Sequence, residues 1–223
     1  MAKLEILDPG AVAIAPFGRL ELPLRPLARA THRHIVAPLT RPLSSWLIRS
    51  HLRAALDGAQ TVIDVAVGDD PFALELAVAG KTVVVNDVDL EALAYLKKSA
   101  DAKGLSVRFV QSDVRHLPLD GPFDAVLMKN LCHHLENLDD VRTVLRTLAS
   151  TGRRILLLEI EDPRRSHVAR VWNGYYRIFL GDKGFNFIDR GTFVALAHEL
   201  SPSAVIRTIR TIKGNYMFST LDV

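Results

Sequence analysis

The sequence predicts an α/β fold: a doubly wound, mostly parallel sheet of seven strands that ends in a C-terminal antiparallel hairpin. Five short apolar runs follow one another from residue 61, mostly with helix-like segments between them, and such runs are typical of a parallel sheet covered on both faces. After residue 203 two further strand-like runs flank a Gly-Asn turn, which indicates a hairpin. The 223 residues, 48% hydrophobic, suffice for one core, so we expect a single domain over residues 1–223.

The first 58 residues predict an irregular and helical N-terminal cap. Residues 1–24 are broken by three prolines and are expected to be extended or irregular. We expect a helix over 26–37 that ends before Pro38, and a second helix over 43–56.

The sheet elements follow in chain order. The predicted strands are 61–66, 82–86, 106–110, 124–128 and 154–160, and the helices between them are 71–79, 89–102 and 138–149. A helix over 191–200 precedes the hairpin, whose strands are 204–212 and 216–221 about a turn at 213–215. Residues 163–190 interrupt the alternation, so we expect an inserted segment there.

Composition excludes several classes of protein. The 24% of charged residues argues against disorder, and the single cysteine, Cys132, excludes an internal disulfide framework. No apolar run reaches the ~18 residues of a membrane span, and the first residues lack the apolar stretch of a signal peptide. We therefore expect a soluble cytoplasmic protein, whose oligomeric state the sequence does not indicate.

The positive charge is concentrated near the N-terminus. Between Arg19 and Arg53 there are seven arginines and one acid, Glu21. This bias suits an anionic partner such as nucleic acid, a lipid surface or a phosphorylated substrate, and equally suits a solvated helix face. A nucleic-acid partner is the less favoured interpretation, because aromatic residues do not alternate with the arginines.

Carboxylates lie in or just after three predicted strands. Asp64 lies in the strand 61–66, Asp87 follows the second strand and Asp113 follows the third. Ligands of open α/β sheets bind past the carboxyl ends of the strands, and a carboxylate after the second strand can bind both ribose hydroxyls. A helix cap or turn is the alternative role for Asp87 and Asp113, although Asp89 is better placed to cap the next helix.

Four segments resemble the class I S-adenosylmethionine (SAM) dependent methyltransferases of the small-molecule, type 11-like kind. They are VIDVAVGDD, VVVNDVDLEAL, VQSDVRHLPLDGPFDAVLM and KNLCHHL, and the resemblance covers roughly residues 45–223. It implies a Rossmann-like fold, SAM as the cofactor and a small-molecule acceptor. The residues that it implies for cofactor binding are Asp64, Ala66, Val67, Gly68, Asp69, Asp87, Val88, Ser112, Asp113, Val114, Lys129 and Asn130.

Within that set the resemblance assigns separate parts of SAM to separate residues. Asp64 places the methionine portion, Asp113 binds the adenine amino group and the Val114 amide meets a ring nitrogen. The glycine-poor loop departs from the family, since Ala66 and Asp70 stand where it prefers glycine.

The resemblance also suggests where the methyl acceptor binds. His133 and His134 follow the fourth strand at the family's "HHL" position, and His134 is our first candidate for a general base. Capping and packing are alternative roles for the pair, and without a third ligand they predict no metal site. Residues 163–190 are expected to cover the acceptor through Trp172, Tyr175, Tyr176 and Arg177. A small satellite core is the alternative for these aromatics.

Three other functions remain open. A nicotinamide-dependent reductase would need G-x-G-x-x-G, which the sequence lacks. An RNA methyltransferase would use the basic N-terminal arm, but no Asn/Asp-Pro-Pro-aromatic motif follows the fourth strand. A non-catalytic SAM- or nucleotide-binding partner subunit would suit the glycine-poor loop.

Overall fold

The computed structural model describes residues 4–6, 25–119 and 121–223. Eight strands form one sheet in the spatial order β1-β4-β3-β2-β5-β6-β8-β7. They are β1 (Leu4–Ile6), β2 (Thr61–Val65), β3 (Thr82–Asp87), β4 (Val107–Gln111), β5 (Ala125–Lys129), β6 (Arg154–Ile160), β7 (Val205–Thr211) and β8 (Gly214–Asp222). The first six strands pair in parallel, whereas β8 runs antiparallel to both β6 and β7.

This topology confirms the seven predicted strands and the closing hairpin. The additional strand is β1, which pairs with β4 at the edge of the sheet. The rest of the N-terminal segment predicted to be irregular, residues 1–3 and 7–24, lies outside the described residues. The hairpin turn is at Ile212–Lys213, earlier than predicted, because Thr211 already pairs with Gly214.

Seven α-helices accompany these strands in the described parts of the chain. They are α1 (Arg25–Thr31), α2 (Ala37–Ala55), α3 (Phe72–Val78), α4 (Leu90–Ala102), α5 (Leu138–Thr151), α6 (His167–Tyr175) and α7 (Arg190–Leu200). A π-helical turn over His32–Val36 joins α1 to α2, and another over Tyr176–Leu180 extends α6.

The predicted helix end before Pro38 is wrong. The helical backbone continues from Arg25 through the π-helical turn to Ala55. Pro38 is the second residue of α2 and directly follows the π-helical turn, so the backbone is helical on both sides of it. The sequence pattern was interpreted as a helix end, but this proline lies within a continuous helical segment.

The core has two layers because the strands are buried on both faces. On one face Val62 and Leu127 pack with residues of α2, α3 and α4. On the other face Ile63 and Met128 pack with residues of α5 and α7. Successive side chains of a strand point to opposite faces, so an apolar strand such as β2 contributes to both layers. With both faces covered, ligands have access at the carboxyl edge of the parallel strands, where the loops lie.

Candidate functional site

An ion cluster occupies the carboxyl ends of β2 and β5. The Lys129 ammonium group lies 2.9 Å from Asp64 Oδ2 and 2.9 Å from Asp70 Oδ2. Asp64 is fully buried and Lys129 is 7% exposed. Burial raises the pKa of Asp64 to about 6, although Lys129 opposes the shift. Burial alone would lower the pKa of Lys129, but the two carboxylates outweigh it and raise that pKa.

The loop after β2 has the backbone of a ligand-binding turn. Ala66 has φ 49° and Gly68 has φ 56°, both in the left-handed region that favours glycine. A Cβ atom on Gly68 would meet nothing within 4 Å, so open space lies beside this residue. Ala66 therefore adopts the conformation for which the family prefers glycine, and it does so despite its side chain.

Asp87 links this loop to the next strand. Its Oδ2 accepts the Gly68 N–H at 2.7 Å, and its Oδ1 accepts the Asp89 N–H at 2.8 Å. Burial raises the pKa of Asp87, and these two N–H donors partly offset that rise. Asp89 caps α4, as predicted, by accepting the N–H groups of Glu91 and Ala92. Val88, between the two acids, is exposed.

Asp113 lies after β4 at the start of a 3₁₀ turn over Val114–His116. Its carboxylate accepts the Arg115 N–H at 2.8 Å and binds the Arg115 guanidinium. Burial would raise the pKa of Asp113, but Arg115 outweighs it and lowers that pKa. Asn86 Nδ2 donates to Ser112 O and Ser112 Oγ, both at 2.9 Å, and so holds the preceding residue. The turn-forming role left open for Asp113 is thus present alongside any role in binding.

The imidazole of His133 is held in place by a buried carboxylate. Its Nδ1 lies 2.6 Å from Glu159 Oε1, and Glu159 Oε2 accepts the Cys132 N–H at 2.7 Å. The His133 ring stacks on Phe187, with ring centroids 5.1 Å apart. Burial opposes protonation of His133, but Glu159 outweighs it and raises the pKa. This histidine is fixed on its Nδ1 side, and its backbone carbonyl also accepts the N–H groups of Phe185 and Asn186.

His134 has a different environment. Its side chain is 40% exposed, and its Nε2 lies 3.7 Å from Asp182 Oδ1. Burial and the neighbouring His133 lower the pKa of His134, which favours the neutral imidazole near pH 7. Asp182 completes a group with the two histidines whose ligand atoms lie within 4.8 Å of one another, close enough to hold a metal ion. The prediction of no metal site remains untested.

A cavity of ≈ 100 Å³ opens beside the ion cluster. Three basic residues and four other polar residues line it, and α2 forms one wall. The lining residues are Ser45, Ile48, Arg49, Leu52, Asp70, Lys129, Asn130, Leu158, Lys213 and Tyr216. Arg49 also binds Asp70 at 3.2 Å and contacts Glu75, so α2 is tied to the loop after β2.

The predicted acceptor residues form a cluster next to this cavity. Trp172, Tyr175 and Tyr176 pack against one another, with ring centroids 5.7 to 6.2 Å apart. Lys213, which lines the cavity, lies over the Trp172 and Tyr176 rings and donates to Tyr176 Oη at 2.9 Å. Arg177 is exposed. A contact of these four residues with an acceptor remains a prediction.

Sequence reasoning missed several residues of this region. Glu159 interrupts the apolar run RILLLEI and is fully buried, so a charged residue inside a strand was the available signal. Asn86 in TVVVND gave a similar signal. Arg49, Lys213 and Asp182 reach the site from α2, the hairpin turn and the inserted segment, and no local pattern places them there.

Comparison with known proteins identifies the domain. A methyltransferase domain model matches residues 62–152. The demethylmenaquinone methyltransferase of Thermus thermophilus is 30% identical over 139 residues, which cover 59% of this chain and 61% of that protein. Its counterpart from Deinococcus radiodurans is 32% identical over 151 residues, or 62% of this chain and 61% of that one. The match therefore spans less than two thirds of these relatives.

Solved structures of low sequence identity share the fold. Magnesium protoporphyrin IX methyltransferase from Synechocystis, with bound SAH, has a TM-score of 0.59 at 18% identity, covering 92% of this chain and 89% of that chain. A protein from Pyrococcus horikoshii has a TM-score of 0.63 at 17% identity, covering 79% and 89%.

In the part of the chain that the structure describes, no helix is both long and apolar enough to cross a membrane. Three observations agree on a similarity to methyltransferases: the order of the strands, the acid at the end of each of the first three long strands, and the matches to known proteins. Residues 62–152 are similar to a methyltransferase domain, and the matched part of the chain is similar to demethylmenaquinone methyltransferases.

Proposed function

We propose that this protein transfers a methyl group from SAM to an oxygen, nitrogen or carbon nucleophile of a small-molecule acceptor. The observation that carries the proposal is the set Asp64, Asp87 and Asp113 at the carboxyl ends of three neighbouring parallel strands, beside open space at Gly68. All three acids fall in the matched methyltransferase region, and the relatives named above methylate a small molecule, demethylmenaquinone.

The residues present suit the methionine portion of SAM. Asp64 Oδ1 and Asn130 Oδ1 are buried oxygens without a hydrogen-bond partner among the described residues, and such atoms suit an ammonium group. Lys129, which binds the other oxygen of Asp64 and also lines the cavity, would face the cofactor carboxylate. This lysine would offset the like charges of Asp64 and Asp70.

The remaining two acids suit the nucleoside. Asp87 holds both of its oxygens in place through backbone N–H groups, and a carboxylate so fixed is pre-organised for the two ribose hydroxyls. Asp113 and the Val114 amide would meet the adenine ring, as the family resemblance implies, with Arg115 keeping the Asp113 carboxylate ionised.

The acceptor would bind between the cavity beside Lys129 and the histidine pair. SAM supplies a methyl group already activated by the sulfonium charge, so orientation of the acceptor accounts for most of the acceleration, up to ~7–11 kcal/mol in favourable cases. His134 would accept a proton from the acceptor, because it is partly exposed and its pKa is lowered. His133, held by Glu159, would position it.

Calorimetric titration with SAM and transfer of isotopic methyl into pools of small-molecule acceptors test this function. We expect one SAM per chain, with binding weakened in Asp87→Asn and unchanged in Asp57→Asn, a control at an exposed turn. Binding without transfer into any pool would favour the non-catalytic partner subunit. Transfer into RNA in place of small molecules would favour the RNA methyltransferase. Absence of SAM binding would contradict both the small-molecule methyltransferase and the RNA methyltransferase.

A further inference from the structure

Two helical segments near the cavity carry an extreme bias of charge. Residues 25–55 and 163–181, here called the cationic cap, contain ten of the 28 lysines and arginines and none of the 25 acidic residues. The rest of the chain therefore has an excess of acid. Such a separation creates a strong positive potential on one part of the molecule, which attracts an anionic surface.

The two segments of the cap are in contact. His32 Nδ1 lies 3.2 Å from Tyr175 Oη, and the His32 ring also packs against Tyr176 at 5.6 Å. Part of the charge is neutralised within the protein, since Arg49 and Arg53 bind Glu75. Arg164 and Arg165 likewise pair with Asp162 and Asp189. On the second segment Arg170, in α6, and Arg177, in the π-helical turn that follows it, are exposed.

The same cap exposes large apolar side chains. Leu39 is 70% exposed and Trp46 is 66% exposed, and they lie seven residues apart on one side of α2. Ile35, in the π-helical turn before α2, is also exposed. On the second segment Val171, 73% exposed, lies three residues after the exposed Val168 on α6, and Ile178 in the following π-helical turn is exposed too. Meanwhile Ser45, Ile48 and Leu52 line the cavity, so the inward and outward sides of α2 are distinct.

We propose that the cationic cap docks on an anionic lipid surface, with its exposed apolar side chains in the interface and its arginines at the lipid phosphates. Helices that carry Arg together with exposed Trp, Leu and Ile, without acids, have the composition of interfacial membrane-binding helices. Single-stranded nucleic acid fits less well, because it stacks on aromatic faces. Here Trp172, Tyr175 and Tyr176 contact one another, and the exposed side chains are mostly aliphatic.

This docking is tested by co-sedimentation of the full chain with phosphatidylcholine vesicles that contain or lack about 30% phosphatidylglycerol. We expect binding to the anionic vesicles, weakened at high salt, and little binding to the neutral ones. The double variant Leu39→Gln/Trp46→Gln should bind at least about tenfold more weakly. Its control, Val78→Gln/Val205→Gln, removes two side chains of matching exposure, 66% and 65%, outside the cap and should bind as the wild type does.

Trp46 reports its own position. In a Trp172→Phe background, its fluorescence should shift to shorter wavelength on anionic vesicles and be quenched by brominated acyl chains. Equal weakening by the cap and control variants would overturn the proposal, as would absence of vesicle binding. Vesicle-independent binding to an RNA oligonucleotide or to an acidic protein would overturn it too.

Docking can fail without the methyltransferase function failing. The cap substitutions lie outside the proposed cofactor site, so SAM binding measured without vesicles should be unchanged in both double variants. A protein that binds SAM but no vesicles contradicts docking alone, and one that binds vesicles but no SAM contradicts the function alone.

Discussion

Replacing Lys129 with methionine tests the ion cluster at the centre of the site. The substitution keeps the length of the side chain and removes the ammonium group that contacts Asp64 and Asp70 at 2.9 Å. Asp64 is fully buried and its Oδ1 has no partner among the described residues, so the variant would leave both of its oxygens unpaired. Removing one partner of a buried ion pair costs about 3–5 kcal/mol.

The pH dependence of this cost follows from the pKa of Asp64. That pKa is raised by burial to about 6 in the presence of Lys129, and loss of the lysine raises it further. At pH 8 the wild-type carboxylate is charged and stabilised by Lys129, so the variant loses the full interaction. At pH 5 Asp64 is mostly protonated in both proteins, and the loss of folding free energy should be smaller.

Urea unfolding of four proteins gives the magnitude: wild type, Lys129→Met, Asp64→Asn and the double variant. We expect the double variant to recover part of the loss, with a coupling of about 1–3 kcal/mol. Lys97→Met serves as the control, because Lys97 pairs with Asp101 at the surface and such pairs contribute only about 0.3–0.5 kcal/mol. A Lys129→Met protein no less stable than Lys97→Met, or a coupling near zero, would refute this account of the cluster.

Three further predictions concern the cofactor and the proton. SAM affinity should fall by up to about tenfold per pH unit as pH decreases below 6, because Asp64 loses its charge there. Calorimetry should show a flatter pH profile of SAM affinity for Asp64→Asn. A profile unchanged by this substitution would contradict the role of Asp64. Ala66→Gly should relieve roughly 1 kcal/mol of left-handed strain, offset by the flexibility that glycine adds to the unfolded chain, so urea unfolding should show little loss of stability. A large loss would contradict the left-handed conformation of Ala66. Once an acceptor is known, His134→Gln should lower kcat by about 10²–10⁴-fold with SAM affinity intact. His116→Gln, a control at an exposed histidine, should leave kcat unchanged. Full activity in the His134 variant would exclude His134 as the base.

The sequence predicted the sheet well because each strand is locally encoded. Runs such as TVVVN and RILLLEI are apolar on both faces, so their strand identity does not depend on distant residues. The Asp89 cap was predictable for the same reason, since an N-cap is decided within one helical turn. The continuation of the helical backbone through His32–Val36 was not predictable, because proline usually marks a helix boundary and here it lies within a helical segment.

The site was only partly predictable. Position after a strand was enough to select Asp64, Asp87 and Asp113, but it gave no information on their partners. The Lys129 contact depends on β2 and β5 being neighbours in the sheet, and the contact of Asp182 with His134 depends on how the inserted segment folds back. Such contacts join residues 48 to 65 positions apart, and periodicity over a dozen residues does not reveal them.

A crystal structure with S-adenosylhomocysteine tests the central claim most directly. We expect electron density for the ribose hydroxyls within hydrogen-bond distance of Asp87, the adenine ring against Val114 and the amino-acid end near Asp64 and Lys129. Density for the ligand at another place would contradict the claim. So would a crystal grown at saturating ligand concentration in which no ligand is bound and Lys129 keeps its contacts with Asp64 and Asp70.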